Sequence, residues 1–358
     1  MFRIRVLGKI GYFKKMDEAI DWAWKEFQKY SIDDILQDLN YSVEEIKQDF
    51  LAIKNFDSKK VIRKFHFVNY YKEGKRVANY FCWFRLKLRA KGKNSFADIF
   101  TDKDRFRKIL KSYFQLNRTN NLDRLRALVN IANIRYNTQE VANFMPTIAK
   151  AIYEYYCPIQ NAKILDWSAG FGGRLVGAIS SKYNYFYYGI DPATETMNAL
   201  KKLTKFLNVE DRVVLIQKPF EDCDKDLKDN YFDFAFTSPP YFNKEEYSDE
   251  PTQSFKRYPE FEIWKEKFLF KSMQILYKKL KPNTLNAVNI ANIKEGNKVL
   301  DLEGALKDCA KRAGFKYIGF KRMLVSSRKM SYKKQRQEKV IHGRGKEESE
   351  KIFIFKKV

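Results

Sequence analysis

The stretch KILDWSAGFGGRL, residues 163–175, decides the fold. A short apolar run ends on Asp166. A turn containing Gly170, Gly172 and Gly173 follows, and an apolar helical pattern resumes at Leu175. Strand, glycine-rich turn and helix in that order make one α/β unit. The same alternation spreads outward from it. The run VANFMPTIAKAIYEYY (141–156) reads as a helix before the strand. YFYYGID (185–191), VVLIQ (213–217), FDFAFT (232–237) and TLNAVNI (284–290) read as further strands. Helices are expected over TETMNALKKLTKFLN (194–208) and over the long run 261–280. Such alternation predicts a parallel sheet covered on both faces, with ligands held outside the carboxyl ends of the strands. YIGFKRMLVSS (317–327) and KIFIFKKV (351–358) read as two closing strands.

Composition bounds the function. The chain has 358 residues, 44% of them hydrophobic, and a net charge of +25. Residues 51–130 carry 21 Lys and Arg against 6 Asp and Glu, and residues 311–358 carry 16 against 4; the rest is near neutral. Two basic flanks around a neutral middle fit a phosphate-binding surface beside a catalytic core. No apolar run approaches the roughly 18 residues of a membrane span, and the N-terminus lacks a signal-peptide pattern. Cys82, Cys157, Cys223 and Cys309 are far apart, with no CxxC pair, and the histidines are His66 and His342 alone. A reduced, cytoplasmic protein with no disulfide framework and no metal site is expected.

Residues 1–134 read as one basic, mainly helical unit and 135–358 as the α/β unit. In the first, SIDDILQDLN and YSVEEIKQDFLAIKNF suggest two helices, the second opened by a Ser42/Glu45 capping box. A helix-turn-helix is one arrangement open to that pair. KRVANYFCWFRLKLRAKG (75–92) alternates and reads as a strand. DRFRKILKSYFQLN (104–117) reads as a basic amphipathic helix.

Two loops carry chemistry. A dinucleotide site would show GxGxxG, but the sixth position from Gly170 is Leu175. The acid before the turn, Asp166, would repel a pyrophosphate and suits a cationic ligand such as S-adenosylmethionine. Asp191 closes the next strand, where a carboxylate can accept both ribose hydroxyls. Glu221 or Asp222 follows the third strand, within reach of an adenine amino group. The second loop is Thr237-Ser238-Pro239-Pro240-Tyr241, at the end of FDFAFT. An exocyclic amino group on a base is a poor nucleophile, because its lone pair is delocalised. Ser238 Oγ and the Pro239 carbonyl can accept hydrogen bonds from its two protons, which pulls the nitrogen toward a tetrahedral shape and frees that pair. Pro239 and Pro240 hold the loop extended, and Tyr241 can stack on the base. Positioning then supplies most of the catalysis, on a base flipped out of its duplex.

ILDWSAGFGG, YYGIDP and FDFAFTSPPY together resemble the S-adenosylmethionine-dependent DNA amino-methyltransferases (N6-adenine or N4-cytosine type), with their DPPY/SPPY/NPPY loop. The resemblance spans about residues 135–300. It implies a Rossmann-like methyltransferase sheet with a terminal antiparallel hairpin, and S-adenosylmethionine as cofactor. It also implies DNA as partner, with RNA as the alternative polymer and a non-catalytic binding protein as the alternative class. By resemblance, Ser238, Pro239, Pro240 and Tyr241 are catalytic. Phe144, Asp166, Ser168, Ala169, Gly170, Gly172, Asp191, Pro192, Glu221 and Asp222 would hold the cofactor. Ser238 stands where cytosine C5 chemistry would need a thiol. No large recognition domain separates the two motifs, so recognition would fall to the N-terminal unit and the C-terminal segment. There Arg328, Lys329, Lys333, Lys334 and Arg336 suit phosphate contacts. The loop after Tyr241 is expected to be a lid beside the site.

Overall fold

Apolar runs bounded by turns gather into one eight-stranded sheet. The computed structural model describes residues 2–38, 41–64, 66–68, 71–90, 93–116, 125–138, 141–246, 248–295, 298–324 and 349–358. In chain order the sheet strands are β1 (His66–Val68), β2 (Lys163–Asp166), β3 (Phe186–Ile190), β4 (Val213–Ile216), β5 (Phe232–Thr237), β6 (Leu280–Ile290), β7 (Phe315–Leu324) and β8 (Ser349–Lys357). Their spatial order is β1-β7-β8-β6-β5-β2-β3-β4. Only β8 runs antiparallel to its neighbours. This is an α/β, Rossmann-like sheet, with the antiparallel hairpin β7–β8 beside β6.

The order of the strands places the site. From β2 the chain moves to β3 and β4 on one side, then returns to β5 on the other. A crevice therefore opens at the carboxyl ends of β2 and β5, at the point where strand order reverses. Register fixes the depth: Ile164 lies opposite Phe234 and Leu165 opposite Ala235, so both strands end side by side. One apolar core, with Tyr153, Tyr185, Tyr187, Phe234 and Phe236, fills one face of the sheet. A second, with Trp167, Phe232, Trp264 and Leu276, fills the other.

The first 134 residues divide between two cores. Residues such as Ile4, Phe27, Phe106 and Leu128 make a helical core of their own. Ile46, Ile53, Phe67, Val77 and Phe84 instead join the sheet's core, and β1 adds an eighth strand parallel to β7. Ile35 and Ile46, one from each helix of the proposed pair, thus lie in different cores. The Ser42/Glu45 box is present, with the Glu45 N–H donating to Ser42 Oγ at 3.2 Å and the Ser42 N–H to Glu45 Oε2 at 3.0 Å.

Three readings need correction. Among the described residues, 75–90 are not one strand: Lys75–Phe81 is a helix, and Arg89–Ala90 alone is extended. Val77, Ala78, Phe81 and Phe84 follow helical spacing, and Gly74, with φ +80°, starts the helix. The helix expected from Val141 begins at Pro146 instead. Proline forces its predecessor out of the helical region and is itself at ease in a first turn. The long run 261–280 is interrupted by a π-helical turn, Lys265–Phe270. The basic segment with Arg328, Lys329, Lys333, Lys334 and Arg336 lies outside the described residues.

Candidate active site

The turn after β2 is held by side chains from several elements. Gly170 and Gly172 have φ of +57° and +80°, which only glycine adopts freely. At Gly173 any side chain would collide with the Phe144 carbonyl. Asn143 ties the turn to the chain before it. Its Nδ2 donates to the Phe171 carbonyl at 2.7 Å, and its Oδ1 accepts from the Gly173 N–H at 3.1 Å.

Asp166 stands behind the cavity wall rather than in it, and is fully buried. Its Oδ2 accepts from Arg174 Nε at 2.8 Å and from Tyr187 Oη at 2.6 Å; its Oδ1 accepts from Thr237 Oγ1 at 2.9 Å. Arg174 also donates to the Ser168 carbonyl, and its guanidinium lies 5.7 Å from the centre of the Phe144 ring. Burial works against the charge of Arg174, but the Asp166 carboxylate beside it prevails and raises its pKa. Asp166 thus binds β2, β3, β5 and the glycine turn into one unit.

Asp191 does line the cavity. Its Oδ2 accepts from the Gly170 N–H at 3.0 Å and its Oδ1 from the Ala193 N–H at 3.0 Å. Deep placement pushes its carboxyl up to about 6, against the downward pull of those two donors. Glu221 lines the cavity too, buried, with its pKa raised by desolvation. It accepts from Arg257 Nη1 at 2.6 Å, and the same nitrogen is 2.9 Å from Asp222 Oδ2. Arg257 therefore engages both acids expected at an adenine.

The cavity has a volume of about 240 Å³. Phe144, Ser168, Ala169, Gly170, Asp191, Pro192 and Glu221 meet Ser238, Pro240 and Tyr241 around it. Gly172, Pro239 and Asp222 belong to its loops but do not line it. Trp167 and Phe220, stacked with centroids 5.4 Å apart, form an apolar wall. At the far end Ser238 Oγ donates to Asn289 Oδ1 at 3.3 Å, as does Tyr241 Oη at 3.3 Å. Glu350 Oε2 accepts from Tyr241 Oη at 3.4 Å, and Lys244 Nζ lies 5.0 Å from the Tyr241 ring centre. Lys244, Asn289, Met323 and Glu350 all line this end. Sequence reasoning missed Asn143, Arg174, Arg257, Asn289 and Glu350. Arg174 alone carried a signal, as a cation inside an apolar helix following an acid-ended strand.

The loop after Tyr241 crosses the same cavity. Thr252, Gln253 and Ser254 line it, and Glu250 accepts from the Thr194 N–H at 2.9 Å. The backbone of Glu245–Glu246 pairs with Arg89–Ala90, joining this loop to the N-terminal part.

No family model matches the chain. A type II beta methyltransferase, M.BslI of Bacillus sp. (strain NEB-606), is 33% identical over 99 residues, 28% of this chain and 10% of that protein. The chain thus spans about a tenth of the length of this relative. Among solved structures, TrmN from Thermus thermophilus aligns with a TM-score of 0.40 at 12% identity, over 60% of this chain and 49% of its own. The 1,6-didemethyltoxoflavin-N1-methyltransferase of Burkholderia thailandensis aligns with 0.38 at 14%, over 59% and 76%. Among the described residues no group of His, Cys, Asp and Glu could hold a metal, and no helix is long and apolar enough to cross a membrane.

Proposed function

We propose that this chain transfers a methyl group from S-adenosylmethionine to the exocyclic amino group of a flipped DNA base, N4 of cytosine or N6 of adenine. One observation carries the reading: the glycine turn, Asp191 and the Ser238–Tyr241 loop share a single cavity at the switch point of the sheet. The local match to a type II beta methyltransferase supports it.

The residues present fit the cofactor. A carboxylate lining the cavity at the end of β3 suits a ribose diol, and a turn with two left-handed glycines lets backbone approach a ligand closely. Phe144, Ser168, Ala169, Gly170, Asp191, Pro192 and Glu221 would hold it. Gly172 and Asp222 would shape the loops, and Asp166 would act through Arg174. S-adenosylmethionine supplies an electrophilic methyl group on sulfur. Ser238 Oγ on the cavity wall and the carbonyl of Pro239, in the same loop though outside that lining, would accept hydrogen bonds from the two amino protons and free the nitrogen lone pair for attack; one of the two protons is released as the nitrogen is methylated. Pro240 keeps the loop extended, and Tyr241 packs on the base. Arg328, Lys329, Lys333, Lys334 and Arg336 would meet the phosphate backbone.

The test is transfer of radiolabelled methyl to unmodified duplex DNA, RNA and protein in parallel, followed by nucleoside mass spectrometry. Label in N4-methylcytosine or N6-methyladenine is expected. Label in RNA alone would move the reading to the other polymer, and label in none would overturn it.

A further inference from the structure

We propose that Asn289 is a positioning residue that sets the Ser238 hydroxyl as an acceptor toward the target amino group. This rests on the methyl-transfer reading above. Asn289 is buried on β6, which runs parallel to β5 with Val288 opposite Thr237. That register puts Asn289 beside Ser238. The amide has one orientation that satisfies its surroundings. Its Nδ2 donates to the Lys351 carbonyl at 3.1 Å, and a carbonyl can only accept. Oδ1 must then face the cavity, where it meets the hydroxyls of Ser238 and Tyr241, each at 3.3 Å.

An amide oxygen can only accept, so the Ser238 hydroxyl proton is drawn toward Asn289. A serine hydroxyl has one proton and two lone pairs. Both lone pairs are left for a donor in the cavity. The opposite rotamer would send the proton to the target nitrogen and occupy the electron pair that must attack. Asn289 thus selects between a productive and an inhibitory hydroxyl. The Tyr241 hydroxyl lies between the same oxygen and Glu350, and its one proton is shared between these two acceptors. Lys351, which supplies the anchoring carbonyl, sits on β8, so the closing hairpin of the sheet sets the chemistry of the β5 loop.

The test is a double-mutant cycle on full-length protein, with unmodified duplex DNA and radiolabelled S-adenosylmethionine. Asn289→Leu should lower kcat on the order of 10- to 100-fold, the scale of a misplaced reacting group. Calorimetric affinity for S-adenosylhomocysteine should not change. Asn289→Asp keeps the acceptor but gives up the anchoring donor, so it should recover kcat only in part while staying above Asn289→Leu. In a Ser238→Ala background Asn289→Leu should cost less than threefold more, because its target is gone. Asn289→Thr, at ease in a strand, replaces Leu if that variant melts at markedly lower temperature. Fully additive losses, or no recovery with Asp, would overturn the inference while leaving the methyl-transfer reading intact. A wild-type protein that labels no substrate would overturn that reading, and the inference with it.

Discussion

Two aspartates that end neighbouring strands do different work. Asp166 is the shared acceptor of Arg174, Tyr187 and Thr237 inside the protein. Asp166→Ala would strip a buried guanidinium of its counter-ion and two hydroxyls of their acceptor. The expected loss is about 3–5 kcal/mol, the range for breaking a buried ion pair, or a Tm lowered on the order of 10 °C. A calorimetric melt checks it, and a Tm within 2 °C or so of wild type would refute a structural role. Asp191 faces the cavity, with its carboxyl pushed up to about 6 by its deep setting. Raised above the ordinary carboxylate value of about 3.9, it favours the folded state while protonated. That contribution is complete below about pH 4 and is lost as pH rises through 6. Ribose hydroxyls donate, so they select the ionised form. Affinity for S-adenosylhomocysteine should therefore climb up to about tenfold per pH unit below 6 and level off above 7. Asp191→Asn should flatten the profile. Calorimetry from pH 5 to 8 measures both, and a level wild-type profile would remove Asp191 from the binding site.

At the scale of elements, the loop between β5 and the helix starting at Phe261 is clamped from two sides. Glu250 holds Thr194, and Arg257 holds Glu221 and Asp222. Glu221 is buried and Arg257 largely so, which makes this clamp stronger than a surface pair. A charge-assisted bond of this kind contributes about 1.5–3 kcal/mol. Arg257→Met should then speed amide exchange across 249–258 by about 10- to 100-fold. Hydrogen-exchange mass spectrometry reads this directly, and unchanged protection would show that Glu250 and packing hold the loop without Arg257. The strands of this region were legible in sequence because each is a short apolar run closed by an acid, a glycine or a proline. β5 with its Ser238–Tyr241 loop is the clearest case. The helix Lys75–Phe81 was not, because aromatic residues at helical spacing also alternate over a short window. Arg257, Asn289 and Glu350 were illegible for another reason: each reaches the site from a strand or loop whose position depends on long-range pairing. Pro146 could have been read, since its restriction on Met145 is local.

For the whole molecule, the closing hairpin links charge to chemistry. Met323 near the end of β7 and Glu350 near the start of β8 both line the cavity beside Tyr241. The chain between them carries Arg328, Lys329, Lys333, Lys334 and Arg336. Under the proposed methyl transfer to DNA, this segment is the one proposed to hold the phosphates, and that proposal is tested by its charge. Neutralising Lys333, Lys334 and Arg336 together should weaken duplex binding on any sequence. Each lost contact lowers the slope of log affinity against log salt by about 0.9, so three lower it by roughly three. Preference among sequences should hold, because phosphate contacts position and base contacts specify. Affinity for S-adenosylhomocysteine should also hold, since Asp191 and the glycine turn are untouched. Salt titrations of wild type and triple variant on two unrelated duplexes measure the difference. An unaltered slope would transfer the phosphate-binding role to the other basic flank, residues 51–130, where Arg89 pairs by backbone with the loop after Tyr241 and so lies on the same path to the cavity.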